Sequence, residues 1–87
     1  MVSKNLTIPY ILGFHLRPAS YFSGVMEKYP CDVKINFNGN CFNAKSTLQI
    51  MAACIKCGST IELVCDGEQE NEALSEGTKI IEEALGD

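Results

Sequence analysis

Asn38-Gly39 lies between two runs in which apolar and polar residues alternate, and few backbone arrangements satisfy that pattern. Upstream, Cys31 to Phe37 places Val33, Ile35 and Phe37 on one face of a strand and Asp32, Lys34 and Asn36 on the other. Downstream, a second strand is expected from about Asn40 to Ala44. An Asn-Gly pair suits the two-residue turn that joins such strands, because both of its central residues need a positive φ. The chain is therefore expected to hold an antiparallel hairpin with one apolar face, which other elements must cover.

Two further strands follow from the same two-residue period. Leu6 and Ile8 alternate with Asn5 and Thr7, and Pro9 limits the hydrogen bonding of that strand, which is expected to end there. Ile61, Leu63 and Cys65 alternate within Thr60 to Cys65, before an Asp66-Gly67 turn. Three segments carry helical spacing instead. From Leu16 the apolar residues fall at Ala19, Phe22, Val25, Met26 and Tyr29, and Pro30 is expected to end that helix near Lys28. Ser46 precedes a short apolar segment with Leu48, Ile50, Met51, Ala52 and Ile55, read as a helix with Ser46 as its N-cap and Gly58 as its close. The last segment places Ala73, Leu74, Gly77, Ile80, Ile81, Ala84 and Leu85 on one stripe. Glu68, Glu70 and Glu72 fall in its first turns, where the helix dipole favours them, and the helix is expected to run to the C-terminus. The order is βαββαβα. The expected fold is α+β, an open-faced sandwich with a four-stranded antiparallel sheet and three helices on one face.

At 87 residues, the chain is expected to form one domain over 1–87, burying roughly 60% of its unfolded surface. A net charge of −4 argues against non-specific nucleic-acid binding, which depends on clustered Lys and Arg. No apolar run approaches the length needed to cross a membrane, and Met1-Val2-Ser3-Lys4-Asn5 does not read as a signal peptide. Five cysteines, an odd number with no framework spacing, are read as free, buried or half-buried thiols in a reducing cytoplasm. Cys54-Ile55-Lys56-Cys57 is formally a redox or metal pair, which would make the chain a thiol redox or metal protein. A redox pair normally draws its low thiol pKa from a helix N-terminus, and the Gly58 that follows marks the opposite end. A structural zinc site would need a second close pair. No cofactor or metal is expected.

The chemistry is placed in Gly13-Phe14-His15-Leu16-Arg17-Pro18-Ala19-Ser20, which holds the only histidine. Pro18 suits the first turn of a helix, so His15 falls at or just before its start. The first N–H groups of a helix have no partner and carry the positive end of the dipole, which suits a phosphate. Arg17 adds a planar fork of donors matched to phosphate oxygens. Gly13 allows the chain to turn at positive φ and present the imidazole. This pattern points to anion binding or to an imidazole that carries a phosphoryl group; the plain alternative is a surface histidine. Ser46 likewise has two readings. As an N-cap it has a sufficient structural job, and as a phosphorylation site it would place new negative charge at the helix start beside Leu48 and Met51.

Gly13-Phe14-His15-Leu16-Arg17-Pro18-Ala19 resembles the active-site signature of HPr, the histidine-containing phosphocarrier family of the sugar phosphotransferase system. Lys45-Ser46-Thr47-Leu48-Gln49-Ile50-Met51 resembles that family's serine motif at matching separation, and the resemblance spans essentially the whole chain. It implies that His15 accepts a phosphoryl group on Nδ1 from phosphorylated enzyme I and passes it to enzyme II A components, with Arg17 stabilising it. It implies a second phosphorylation at Ser46 by a serine kinase, removed by a phosphorylase, and binding to a catabolite-control regulator. Docking is expected to use Phe14, Leu16, Thr47, Leu48 and Met51. Leu12, Leu16 and Thr47 depart from the family's usual residues, and an alternative reading is a regulatory module of the same fold that works mainly through Ser46. A cytoplasmic monomer is expected for a shuttle that visits several partners, without nucleic acid or membrane.

Overall fold

The computed structural model describes residues 1–87 and places seven elements in the expected order. They are β1 (Val2–Thr7), α1 (Leu16–Met26), β2 (Asp32–Phe37), β3 (Asn40–Asn43), α2 (Thr47–Ala52), β4 (Thr60–Asp66) and α3 (Glu70–Glu82). The strands form one sheet in the order β1-β4-β2-β3, with every pairing antiparallel. At the β2–β3 turn Asn38 and Gly39 both have positive φ, at 53° and 79°, as the hairpin requires. Register follows the apolar pattern: Ile35 opposes Leu63, and Leu6 opposes Ile61. A slip of one residue would turn these side chains out to water.

Nineteen buried apolar residues form one continuous core between the helices and one face of the sheet. The strands contribute Leu6, Val33, Ile35, Ile61, Leu63 and Cys65, and the helices contribute Phe22, Met26, Ile50, Ile80 and Ile81 among others. The other face of the sheet is polar, and Asn36 donates there to Glu62 across the strands at 3.0 Å. No helix is long and apolar enough to cross a membrane.

Three helix ends differ from expectation. α1 stops at Met26, with Glu27 as its C-cap, rather than near Lys28. α2 stops at Ala52, and the left-handed residue that ends it is Cys54, with φ 53°, not Gly58. The cause is non-local: residues beyond Cys54 are tied to the N-terminal half of the chain. The Phe14 N–H donates to the Ile55 carbonyl, and the Gly58 N–H to the Ile8 carbonyl, each at 2.8 Å. A continued helix would lose both bonds and would lift buried Ile55 from the core. α3 does not reach the C-terminus. It ends at Glu82, with Ala84 left-handed at φ 52°. Its start is also later than expected, since Gln69 is its left-handed N-cap and Glu68 lies outside it. Glu70 instead accepts from the Gly67 N–H at 3.0 Å, and this bond is the first cause of its carboxyl's lowered pKa.

Candidate functional site

The loop before α1 is built by two backbone constraints. The Gly13 N–H donates to the Tyr10 carbonyl at 2.8 Å, closing a turn with exposed Ile11 and Leu12 at its tip. Gly13 has φ +76°, and a Cβ there would stand 2.6 Å from the Ile55 oxygen. Glycine is needed for both reasons, as the sequence suggested for the first.

This turn delivers His15 to the mouth of α1. His15 is the N-cap in extended conformation, and its carbonyl accepts the first helical bond, from the Ala19 N–H at 2.9 Å. Leu16 and Arg17 therefore have N–H groups without a helical acceptor, and Pro18 has none to offer. The imidazole side chain is 31% exposed. Its Nε2 lies 3.0 Å from Asp87 Oδ1, while Nδ1 has no partner. Arg17 is exposed in the first turn and forms no ion pair. His15 thus sits at the mouth of α1 beside open amides, with Arg17 in the first turn of the same helix.

Asp87 was not foreseen. The tail reaches His15 because α3 ends in a Schellman motif: the Leu85 N–H donates to the Ile80 carbonyl at 2.9 Å and the Ala84 N–H to the Ile81 carbonyl at 3.1 Å. Gly86 continues at φ +85°, so close to Tyr21 that a Cβ would lie 2.6 Å from the tyrosine's own. The buried Tyr10 hydroxyl donates toward the carbonyls of Leu85, at 3.1 Å, and Ile80, at 3.3 Å. Burial, then the charges of Asp87 and Tyr21, push its pKa up to about 12, which keeps it a donor. The one sequence signal for this tail was a glycine just past an apolar helical stripe.

Beside the imidazole lies a shallow groove of about 210 Å³ lined by Leu12, Phe14, His15, Met51, Cys54, Ile55 and Lys56. Leu16, Leu48 and Met51 are exposed around it, Leu48 to 80%. Such a cluster beside a reactive group suits docking. Phe14 is the exception among the expected docking residues. It is only 3% exposed, with its ring 5.4 Å from Tyr10 and 5.6 Å edge-on to Phe22. The bond from its N–H to Ile55 turns this side chain inward, so it supports the groove from beneath. Thr47 is half-buried, and its hydroxyl is 2.6 Å from that of Ser23 in α1.

Ser46 is the N-cap of α2, and its Oγ accepts from the Gln49 N–H at 3.2 Å. Gln49 Oε1 reaches back to accept from the Asn43 N–H at 2.9 Å, a variant of the capping box. Lys45 is committed elsewhere: its Nζ donates to the Tyr29 carbonyl. Of the five cysteines, Cys31 and Cys65 are buried, but Cys41, Cys54 and Cys57 are exposed, contrary to the expectation of buried or half-buried thiols. Cys41 lies near the turn on an edge strand, and Cys54 and Cys57 lie in the segment drawn out of α2. Burial and neighbouring Cys31 push the Cys65 thiol up to about 11.

Comparison with known proteins agrees with this geometry. The family described as PTS HPr component phosphorylation site matches residues 2–83. The chain is 37% identical over 82 residues to the phosphocarrier protein HPr of Pseudomonas aeruginosa, covering 93% of this chain and 91% of that protein. Its fold is similar to the crystal structure of HPr-C-His from Thermoanaerobacter tengcongensis, with a TM-score of 0.95 at 28% identity, over 100% of this chain and 98% of that one. It is also similar to Crh, the catabolite repression protein of Bacillus subtilis, with a TM-score of 0.78 at 29% identity over 95% of each chain. That Crh structure is a domain-swapped, intertwined dimer.

Proposed function

The chain belongs to the PTS HPr family of phosphocarriers, and from that premise we propose that His15 is the residue that carries the phosphoryl group. The observation that carries this reading is the open Nδ1 of a partly exposed imidazole at the N-cap of α1, next to the unpartnered Leu16 and Arg17 amides, with an exposed, unpaired arginine in the same first turn. In this reading Nδ1 attacks the phosphorus of a donor phosphohistidine on enzyme I. The donor N–P bond breaks, its electron pair returns to the donor ring, and a new N–P bond forms on His15. The same exchange run outward loads an enzyme II A component. Arg17 and the helix dipole neutralise phosphoryl charge without enclosing it, which suits a group that must leave again. Leu16, Leu48 and Met51, with Thr47 at their edge, receive the partners, and Phe14 acts from below.

Incubation with enzyme I and phosphoenolpyruvate should give an acid-labile, alkali-stable phosphoryl group on His15, absent from His15→Ala. No labelling with a range of enzyme I proteins would overturn the reading. A cytoplasmic monomer over one domain, 1–87, is part of the proposal; sedimentation at micromolar concentration tests the monomer against a Crh-like dimer.

A second reading is favoured by the likeness to Crh and by the position of Ser46. A phosphate on the α2 N-cap would add charge beside exposed Leu48 and Met51, and so alter the docking surface without unfolding the helix. Ser46 would then serve regulation by a serine kinase and phosphorylase, through a catabolite-control partner. Comparing the rates of His15 and Ser46 labelling separates a working carrier from a module that acts mainly through Ser46.

A further inference from the structure

The groove beside His15 contains one permanent charge, the ammonium of Lys56. No acidic residue lines that groove, although the chain carries a net charge of −4. None occurs in residues 1–26 or 33–61 either, the stretches that supply His15, α1, α2 and the groove walls. The lysine before Ser46 is committed elsewhere, since Lys45 donates to the Tyr29 carbonyl. Lys56 is exposed and forms no ion pair. We propose that Lys56 is a further residue of the phosphoryl-transfer site: its ammonium meets the phosphoryl oxygens as the group passes between a partner's ring and His15.

The backbone of Lys56 is held firmly in place. The Phe14 N–H donates to the Ile55 carbonyl and the Gly58 N–H to the Ile8 carbonyl, each at 2.8 Å, and the Ser59 N–H donates to the Lys56 carbonyl at 3.1 Å. Gly13 approaches so closely that a Cβ there would stand 3.2 Å from the Lys56 Cα. Residue 56 is therefore pressed against the turn two residues before His15, and buried Ile55 anchors it from beneath. Leu12 and Met51 offer apolar surface to the lysine stem in the same groove, while its charged end reaches water. A rounded groove of about 210 Å³ is only about 7 Å across, so a charge on one wall acts on the other within a Debye length of about 8 Å.

The proposal rests on His15 being the phosphoryl carrier. A phosphoryl group in transfer spreads negative charge over its three outer oxygens. Docking expels water from the groove, and a cation on its wall then acts through a lower dielectric. No bond to lysine forms. The donor N–P bond breaks, the His15 N–P bond forms, and the ammonium keeps its protons throughout. Lys56 stands in the segment after α2, so its charge is supplied independently of Arg17 and the α1 amides. An ammonium is a point charge on a flexible stem, which can follow the phosphorus across without enclosing it.

Lys56→Gln and Lys56→Arg test the proposal, and both leave the core untouched because the side chain is exposed. With saturating phosphorylated enzyme I, the rate of His15 labelling should fall about tenfold in Lys56→Gln and largely recover in Lys56→Arg. In the isolated phosphoprotein, the second ionisation of the phosphoryl group, followed by ³¹P NMR, should move up by about half a pH unit in Lys56→Gln, since the native ammonium favours the dianion. An unchanged saturated rate, or an unchanged ³¹P titration, would overturn the role of Lys56 while native labelling stands. A rise in KM alone would likewise overturn it, making Lys56 a contact to the partner protein. A native protein that takes no label would overturn the carrier reading itself, and the role of Lys56 with it.

Discussion

The hydroxyls of Ser23 and Thr47 lie 2.6 Å apart, joining the middle of α1 to the first residue of α2. Ser23 Oγ is also 3.3 Å from the Ser20 carbonyl, which cannot donate. A consistent chain therefore runs from the Thr47 O–H to Ser23 Oγ, and from the Ser23 O–H to the Ser20 oxygen. The two helices that begin at His15 and Ser46 are fastened through this pair.

Ser23→Ala removes the acceptor and leaves the half-buried Thr47 hydroxyl without its partner. It should destabilise the fold by about 1–2 kcal/mol. Urea unfolding gives the value, and a double cycle with Thr47→Val isolates the pair. A coupling near zero would mean that each hydroxyl finds water instead.

Gly13→Ala meets both a positive φ and the Ile55 oxygen at 2.6 Å. Relief requires the 10–13 turn to part from the 55–58 segment, breaking the Phe14–Ile55 bond. We expect a loss of about 2–4 kcal/mol, the sum of backbone strain and a lost hydrogen bond. Phosphoryl acceptance should fall further than in a control variant of equal stability, because the turn also aims His15.

At Ser46 the cap and the charge can be separated. Ser46→Ala should cost about 1 kcal/mol in urea unfolding, since the Gln49 N–H loses its acceptor. Ser46→Asp should cost almost nothing, because aspartate caps as well as serine. If Ser46 tunes docking, the aspartate variant should slow labelling of His15 while the alanine variant does not. Equal labelling in both would confine Ser46 to its structural task.

The Tyr10 hydroxyl gives the fold a signature at high pH. In the unfolded chain this phenol loses its proton near 10, and in the folded one at about 12. Between those values the unfolded state binds fewer protons, so stability falls as pH rises through that window and is unaffected by this group below it. Tyr10→Phe should flatten its part of the decline when unfolding is followed from pH 9 to 12. It should also loosen the tail that brings Asp87 to His15, since the hydroxyl holds the Leu85 carbonyl.

Features encoded by neighbouring residues were legible in the sequence. The Asn38-Gly39 turn, the Ser46 cap, the turn at Gly13 and the alternating strands each depend on a few adjacent positions. Features set by distant partners were not. The end of α2 is fixed by the bonds that tie Ile55 to Phe14 and Gly58 to Ile8, residues 41 and 50 positions earlier, which no local period reports. Phe14 is apolar in either location, and only the fold decides that it points inward against Phe22. Asp87 and His15 are separated by 72 positions, and nothing in an acidic tail residue announces an imidazole. At the site, His15 and Arg17 were legible because helix starts have a sequence signature; the groove wall from Leu12 to Cys54 was not, because it joins two loops.

All three helices lie on one side of the sheet, and Cys41 pairs with Asn36 on an edge strand, where Asn36 and Glu62 form the bare polar side. With Cys54 and Cys57 replaced by serine, Cys41 becomes the sole reachable thiol, since Cys31 and Cys65 are sealed inside. It is then a chemical handle for tethering the molecule to a bead or an electrode, rear wall inward, with the histidine left facing the bath.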